Sequence, residues 1–189
     1  MNKANMEAYI YALENVDLEA LEVVAQRLCN TLNNKGRILV AGNGGSHAIS
    51  QHFACDIMKA VGHDNLCCQV QCLGDNVAML TAIANDIGCT DIFAKQAALV
   101  GIHDTVIAFS VSGTSPNIRN LLCMANENGA SVYLIRGCGV NQKVSGRIIS
   151  VTTGYESNHP LHYYACETGF SAIAHEIARL FHIKRGNYA

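Results

Sequence analysis

RILVAGNGGS, residues 37–46, is the stretch that decides the fold. Arg37 to Ala41 reads as a short, apolar strand. Gly42-Asn43-Gly44-Gly45-Ser46 is a tight loop, and helical spacing follows to about Val61. A buried strand that runs through glycines into a helix is the repeating unit of a parallel sheet. The same unit recurs downstream. Thr105 to Phe109 (TVIAF) is a second apolar strand, Ser110-Val111-Ser112-Gly113-Thr114-Ser115 is its loop, and a helix runs to about Asn128. Ser115-Pro116 matches an N-cap followed by proline in the first turn.

Outward from these units, residues 3–14 and 17–33 have helical spacing, with Asp17 as N-cap. Leu18, Leu21, Val24, Leu28 and Leu32 recur at threes and fours and predict one buried face. Leu66 to Leu73, Ser131 to Ile135 and Arg147 to Val151 read as further strands. Residues 77–86, 91–100 and about 161–183 read as further helices. The alternation predicts an α/β layered domain with a parallel sheet, preceded by two extra helices. The expected organisation is one domain over 1–189, with 1–34 for oligomerisation and 35–189 as the α/β core.

Composition narrows the function classes. Of 189 residues, 13 are Lys or Arg and 15 Asp or Glu, so the formal charge is −2. That leaves no electrostatic footprint for nucleic acid or an anionic membrane. Hydrophobic residues make up 50% and charged residues 15%, which excludes disorder and suggests surface buried against other subunits. No apolar run approaches the ~18 residues of a membrane span, and Met1 to Glu14 lacks the apolar core of a secretory signal. Nine cysteines, an odd count at irregular spacing, make no disulfide framework. Cys29, Cys55, Cys67, Cys68, Cys72 and Cys123 read as small buried hydrophobes, and a reducing cytoplasm is the expected setting.

Both glycine and serine loops fall at carboxyl ends of parallel strands, where ligands bind. Glycines allow close approach of an anion, and a helix N-terminus attracts it. Ser110, Ser112, Thr114 and Ser115 offer four hydroxyls and no cation, which suits a phosphate monoester. Neither loop is a P-loop or a GxGxxG fingerprint, so a nucleotide is not implied. Each loop alone is equally consistent with a plain strand-to-helix turn.

The motifs A-G-N-G-G-S-H-A-x-x-Q-H-F-A (41–54), L-T-A-I-A-N-D-I-G (80–88), F-x-x-Q (93–96) and F-S-V-S-G-T-S-P-N (109–117) together resemble the sugar-isomerase (SIS) domain, and most of all its phosphoheptose isomerase branch. The resemblance implies a three-layer, flavodoxin-like α/β sandwich with a five-stranded parallel sheet, and a homotetramer with active sites between subunits. It implies that Ser110, Ser112, Thr114 and Ser115 hold the sugar phosphate, and that Asn43, Gly44 and Ser46 contact the sugar. Asn85 and Asp86 join them from the Asn-Asp motif. The loop Gly74-Asp75-Asn76 carries one residue more than the family pattern, so either Asp75 or Asn76 takes the substrate-contacting place.

The isomerase branch also has His-x3-Glu on the helix after its glycine loop. Here the stretch reads His52-Phe53-Ala54-Cys55-Asp56, with Asp for Glu. Positions i and i+4 share a helix face. The family's Gln-x7-His on the last helix has no ungapped match, because Tyr163 and Ser171 would fall there. About four extra residues around 156–160 put Glu167 and His175 on those positions, with His162 as a second candidate. The resemblance then implies a ligand set of His52, Asp56, Glu167 and His175 for zinc or a similar divalent ion. Eight residues on a helix are roughly 12 Å of rise and roughly 80° of turn, so the set is expected to draw on a neighbouring chain. In the family a carboxylate and a histidine shuttle protons through an enediol, roles that map to Asp56 as base and His175 as acid or partner base.

The implied activity is aldose–ketose isomerisation of a phosphosugar, foremost sedoheptulose 7-phosphate to D-glycero-D-manno-heptose 7-phosphate. The rival is a non-catalytic SIS protein that binds a sugar phosphate and regulates a replication initiator. The four-residue ligand set discriminates between them, in favour of an enzyme.

Overall fold

The computed structural model describes residues 3–62, 69–138 and 145–186. Helices α1 (Lys3–Glu14) and α2 (Leu18–Asn33) lead into β1 (Ile38–Gly42), α3 (Gly45–Val61), β2 (Val70–Cys72) and α4 (Val77–Asp86). There follow β3 (Thr105–Ser110), α5 (Pro116–Glu127), β4 (Ser131–Gly137), β5 (Arg147–Val151) and α6 (Pro160–Lys184). The five strands form one sheet of order β2-β1-β3-β4-β5, every pair parallel. This is the α/β fold expected from the sequence.

Strand side chains alternate between the two faces, and the core divides accordingly. Ile38, Val40, Ile107, Phe109, Ile135 and Val151 pack against α2, α3 and α6. Leu39, Ala41, Val106, Ala108 and Leu134 pack on the other face against α5 and residues 93–100. The layers are therefore helix, sheet, helix. At the amino edge of the sheet Asp104 accepts bonds from Arg37 N (2.7 Å), Arg37 Nη2 (2.9 Å) and Gly101 N (2.9 Å). These bonds outweigh the desolvation of its carboxyl and hold its pKa below the usual value.

Several local expectations are corrected. Residues 91–100 form no α-helix but a chain of turns, in which bonds to the fourth residue back (Lys95 N to Asp91 O) mix with bonds to the third (Val100 N to Ala97 O). The Asp91 carboxylate is also tied down by Thr90 and Asn120. Phe93, Ala97 and Val100 still bury as a helix face would. Leu18 is 63% exposed, because it lies in the first turn of α2, beyond the reach of the core. Asp17 caps α2 as expected, accepting from Ala20 N at 3.0 Å. Ser115 stands at the cap of α5 but makes no side-chain capping bond. Cys29 and Cys72 are buried, whereas Cys55 and Cys123 are exposed on the outer faces of their helices. The second strand is only Val70–Cys72; Leu66, Cys67 and Cys68 lie outside the described residues.

Candidate active site

Two loops meet at the carboxyl edge of the sheet, where β1 and β3 lie side by side. Gly42 pairs with Phe109 in the register of β1 and β3, so residues 43–46 and 110–115 leave the sheet as neighbours. The amides of Asn43 and Asn117 bond reciprocally at 3.0 and 2.9 Å and tie the two loops together. Gly44 takes φ +55°, the left-handed conformation glycine tolerates, and the start of α3 carries no side-chain cap. In the second loop, Ser110 Oγ accepts from Gly113 N and Ser112 Oγ from Thr114 N, each at 3.2 Å. The backbone is thereby curled around a hollow.

That hollow is a cavity of about 430 Å³ lined by Asn43, Ser46, Ser110, Ser112, Thr114 and Ser115, with Ser157, His162 and Tyr163 on its far wall. Its size is that of a small-molecule site. Neutral hydroxyls at two helix N-termini are the chemistry an anion needs. Gly44 is in the loop but not among the lining residues. Asn85 and Asp86 bond to one another at 2.8 Å on the exposed end of α4 and do not line the cavity.

Past Ser46, α3 runs beside α6, and there three of the predicted metal ligands come together. His52 Nε2 and His175 Nε2 are 3.0 Å apart. Asp56 Oδ2 lies 3.2 Å from His52 Nε2 and 3.9 Å from His175 Nε2. Donors around a tetrahedral ion with bonds near 2.0–2.1 Å sit roughly 3.3 Å apart, so two imidazoles and a carboxylate at these spacings fit a divalent cation. All three belong to one chain. α3 and α6 pack side by side and present His52 and His175 to each other directly.

Glu167 departs from the trio. Two turns of α6 before His175, its carboxylate lies over Gly45 and accepts from Ser46 Oγ at 3.2 Å. Tyr163, one turn earlier, also faces Glu167, and burial together with that carboxylate pushes the Tyr163 phenol pKa up. Glu167 thus stands between the cavity and the trio. The trio itself begins six residues past Ser46, about 9 Å along the helix. His162, the alternative candidate, is buried, with Nδ1 2.9 Å from Thr153 Oγ1 and Nε2 3.5 Å from Cys166 Sγ. Burial lowers its pKa, which suits a neutral wall residue.

The Gly74-Asp75-Asn76 ambiguity divides by role. Asn76 is the N-cap of α4 and accepts from Met79 N at 3.1 Å. Asp75 instead faces α3, accepting from Gln51 Nε2 at 2.8 Å. The sequence reading missed Ser157 and Tyr163 as cavity-lining residues and Asn117 as the tie between the two loops. Asn117 lay inside the quoted SPN motif and Tyr163 on the ungapped position, but Ser157 sits in a loop with no pattern to mark it.

Residues 3–137 match the SIS domain family. The match ends before α6, so Glu167 and His175 lie outside it. A phosphoheptose isomerase of Helicobacter pylori is 38% identical over 116 residues, covering 61% of this chain and 60% of that protein. A phosphoheptose isomerase of Geotalea uraniireducens is 36% identical over 139 residues, covering 71% and 74%. Among solved structures, a phosphoheptose isomerase from Neisseria gonorrhoeae superimposes with a TM-score of 0.77 at 25% identity, covering 94% of this chain and 93% of that one.

Proposed function

The chain belongs to the SIS domain family, in its phosphoheptose isomerase branch, and from that premise we propose that it interconverts aldose and ketose phosphates, foremost sedoheptulose 7-phosphate and D-glycero-D-manno-heptose 7-phosphate. The observation that carries the reading is the trio of His52, Asp56 and His175, assembled within one chain along the helix that opens at the cavity. A sugar-binding protein without chemistry has no use for it.

The phosphate sits among Ser110, Ser112, Thr114 and Ser115, at the N-terminus of α5. Asn43 and Ser46 hold sugar hydroxyls, and Asp75 is the substrate contact of its loop, since the Asn76 side chain is spent on the cap. The carbonyl end of the open-chain sugar points along α3. Asp56 takes the proton from the carbon beside the carbonyl, and His175 serves the oxygen, which together produce the enediol and its collapse to the other isomer. His52, Asp56 and His175 would hold a divalent ion, with zinc the best match to the donors. When bound, it supplies positive charge that stabilises negative charge on the sugar oxygen. Glu167, held by Ser46, orients the sugar between the two ends of the site.

Incubation with a panel of ketose phosphates, with and without a chelator, tests the proposal. Sedoheptulose 7-phosphate is expected to turn over, and the chelator to stop it. Ser112→Ala should weaken sugar-phosphate binding by about 1.5–3 kcal/mol, the worth of a hydrogen bond to a charged group, with folding intact. Equal affinity for phosphorylated and unphosphorylated sugar would refute the phosphate assignment.

A homotetramer belongs to the same proposal. Among the described residues, Met6, Ile10, Tyr11 and Leu13 on α1 and Val77 and Met79 on α4 are exposed apolar side chains. Apolar surface concentrated in this way marks an interface. Light scattering should report four chains; a stable, active monomer would contradict it. The described cysteines are all free thiols, which supports a reducing compartment such as the cytoplasm. No described helix is long and apolar enough to cross a membrane.

A further inference from the structure

A second cluster of ligand-type side chains lies on the opposite flank of α3. His47 comes from the first turn of α3, Cys72 from the end of β2, and Asp75 from the loop beyond it. Their donor atoms all lie within 4.8 Å of one another. Cys72 Sγ is 3.8 Å from His47 Nδ1, and Asp75 Oδ1 is 3.7 Å from His47 Nε2. Gln51, one turn after His47, donates to the same Asp75 oxygen at 2.8 Å and draws the carboxylate to the helix. Gly74 makes the approach feasible, since a Cβ there would stand 3.1 Å from His47 Cε1.

This cluster shares no residue with the trio. His47 and Gln51 form one i, i+4 stripe of α3; His52 and Asp56 form another. Five residues separate the stripes, which is roughly 140° around the helix. One faces β2 and the 74–76 loop, and the other faces α6. Neither Cys72 nor His47 has a part in the isomerisation.

We propose that His47, Cys72 and Asp75 form a second divalent-cation site, selective for zinc-like ions, which clamps the β2–α4 loop to α3. An imidazole, a thiolate and a carboxylate make a mixed donor set of the zinc type, and the sulfur disfavours magnesium or calcium. The two short spacings run to opposite ring nitrogens, and an ion takes only one of them; with one donor atom per residue the set lies within 4.8 Å. Around a tetrahedral ion such donors stand roughly 3.3–3.6 Å apart, so the loop carrying Asp75 closes on α3 as the ion binds. Three protein ligands leave a fourth position to water. The ion replaces the Cys72 thiol proton, which passes to solvent, and no electron is transferred. Asp75 is shared with the proposed substrate contact, so the site is tested by a readout that does not depend on turnover.

Titration of the metal-free full-length protein with cobalt(II) tests it. A thiolate-to-cobalt charge-transfer band in the near ultraviolet is expected, saturating at one ion per chain. The trio holds only nitrogen and oxygen donors and cannot produce that band. Cys72→Ala and His47→Ala should each abolish it, and His52→Ala should retain it. His47 is partly exposed, so its variant stays informative even if the buried Cys72→Ala fails to fold. Absence of the band in the wild-type protein, or its survival in His47→Ala or Cys72→Ala, would overturn the proposal.

Discussion

Asp56→Asn and His175→Ala are each expected to lower turnover by about 10²–10⁴-fold, the usual worth of a positioned acid or base. Sugar-phosphate affinity should survive, because the serine loop lies further back along α3 and neither residue lines the cavity. Asn is nearly isosteric with Asp, and His175 is 58% exposed, so neither change removes core packing. The two losses should not add. Asp56 and His175 belong to one cluster with His52, and groups that act as a unit lose most of their effect when any member goes. The arrangement within one chain has a further consequence. Mixing the two inactive variants should restore nothing, since any hybrid assembly still lacks a chain with both groups. Steady-state kinetics of the single, double and mixed proteins would decide this. Full activity in His175→Ala would void the alignment that placed it, and recovery on mixing would show that the working site spans two chains.

The fold was legible because its signals are local. RILVA and TVIAF are buried on both faces of a central strand, and each runs into glycine or serine before a helix. The 91–100 segment misled because Phe93, Ala97 and Val100 bury at helical spacing, although the backbone between them is a string of turns pinned by Asp91. At the site, His52 and Asp56 were legible from the family's His-x3-Glu motif, with the i, i+4 spacing putting both on one helix face. His175 required a gap in a loop and the resemblance to a family. What no pattern could reveal is that α3 and α6 pack so closely that His52 meets His175 in the same chain. Azimuth and rise describe one helix, not its neighbour. The same limit explains Glu167. Its eight-residue distance from His175 correctly excluded a shared close contact, but only the packing shows that it turns to Ser46. The cluster of His47, Cys72 and Asp75 was invisible for a related reason, since His47 lies 25 residues before Cys72 and only the β1–β2 pairing brings the two to one flank.

Gly42→Ala is expected to damage stability and binding together, whereas Gly45→Ala should separate them. A Cβ on Gly42 would collide with the Ser46 carbonyl, come within 2.5 Å of its carbon and lie 2.9 Å from His47 N. Every one of these atoms is backbone in the first turn of α3, so no side chain can swing aside. Relief requires α3 to shift away from β1, at an overpacking cost of about 1–3 kcal/mol or more. The shift would carry Ser46, His52 and Asp56 with it. The atoms nearest a Cβ on Gly45 belong to the carboxylate end of Glu167, with Oε1 2.6 Å and Cδ 2.8 Å from the added atom. A flexible side chain can leave, so Gly45→Ala should fold normally while evicting Glu167 from Ser46. Unfolding midpoints and sugar-phosphate affinities of both variants are the measurements. Gly42→Ala should lower both, and Gly45→Ala should keep its midpoint near wild type but lose turnover in the same proportion as Glu167→Ala. If Gly42→Ala retains wild-type stability, the close seating of α3 on β1 is wrong. If Gly45→Ala turns over like wild type, Glu167 has no part in orienting the sugar.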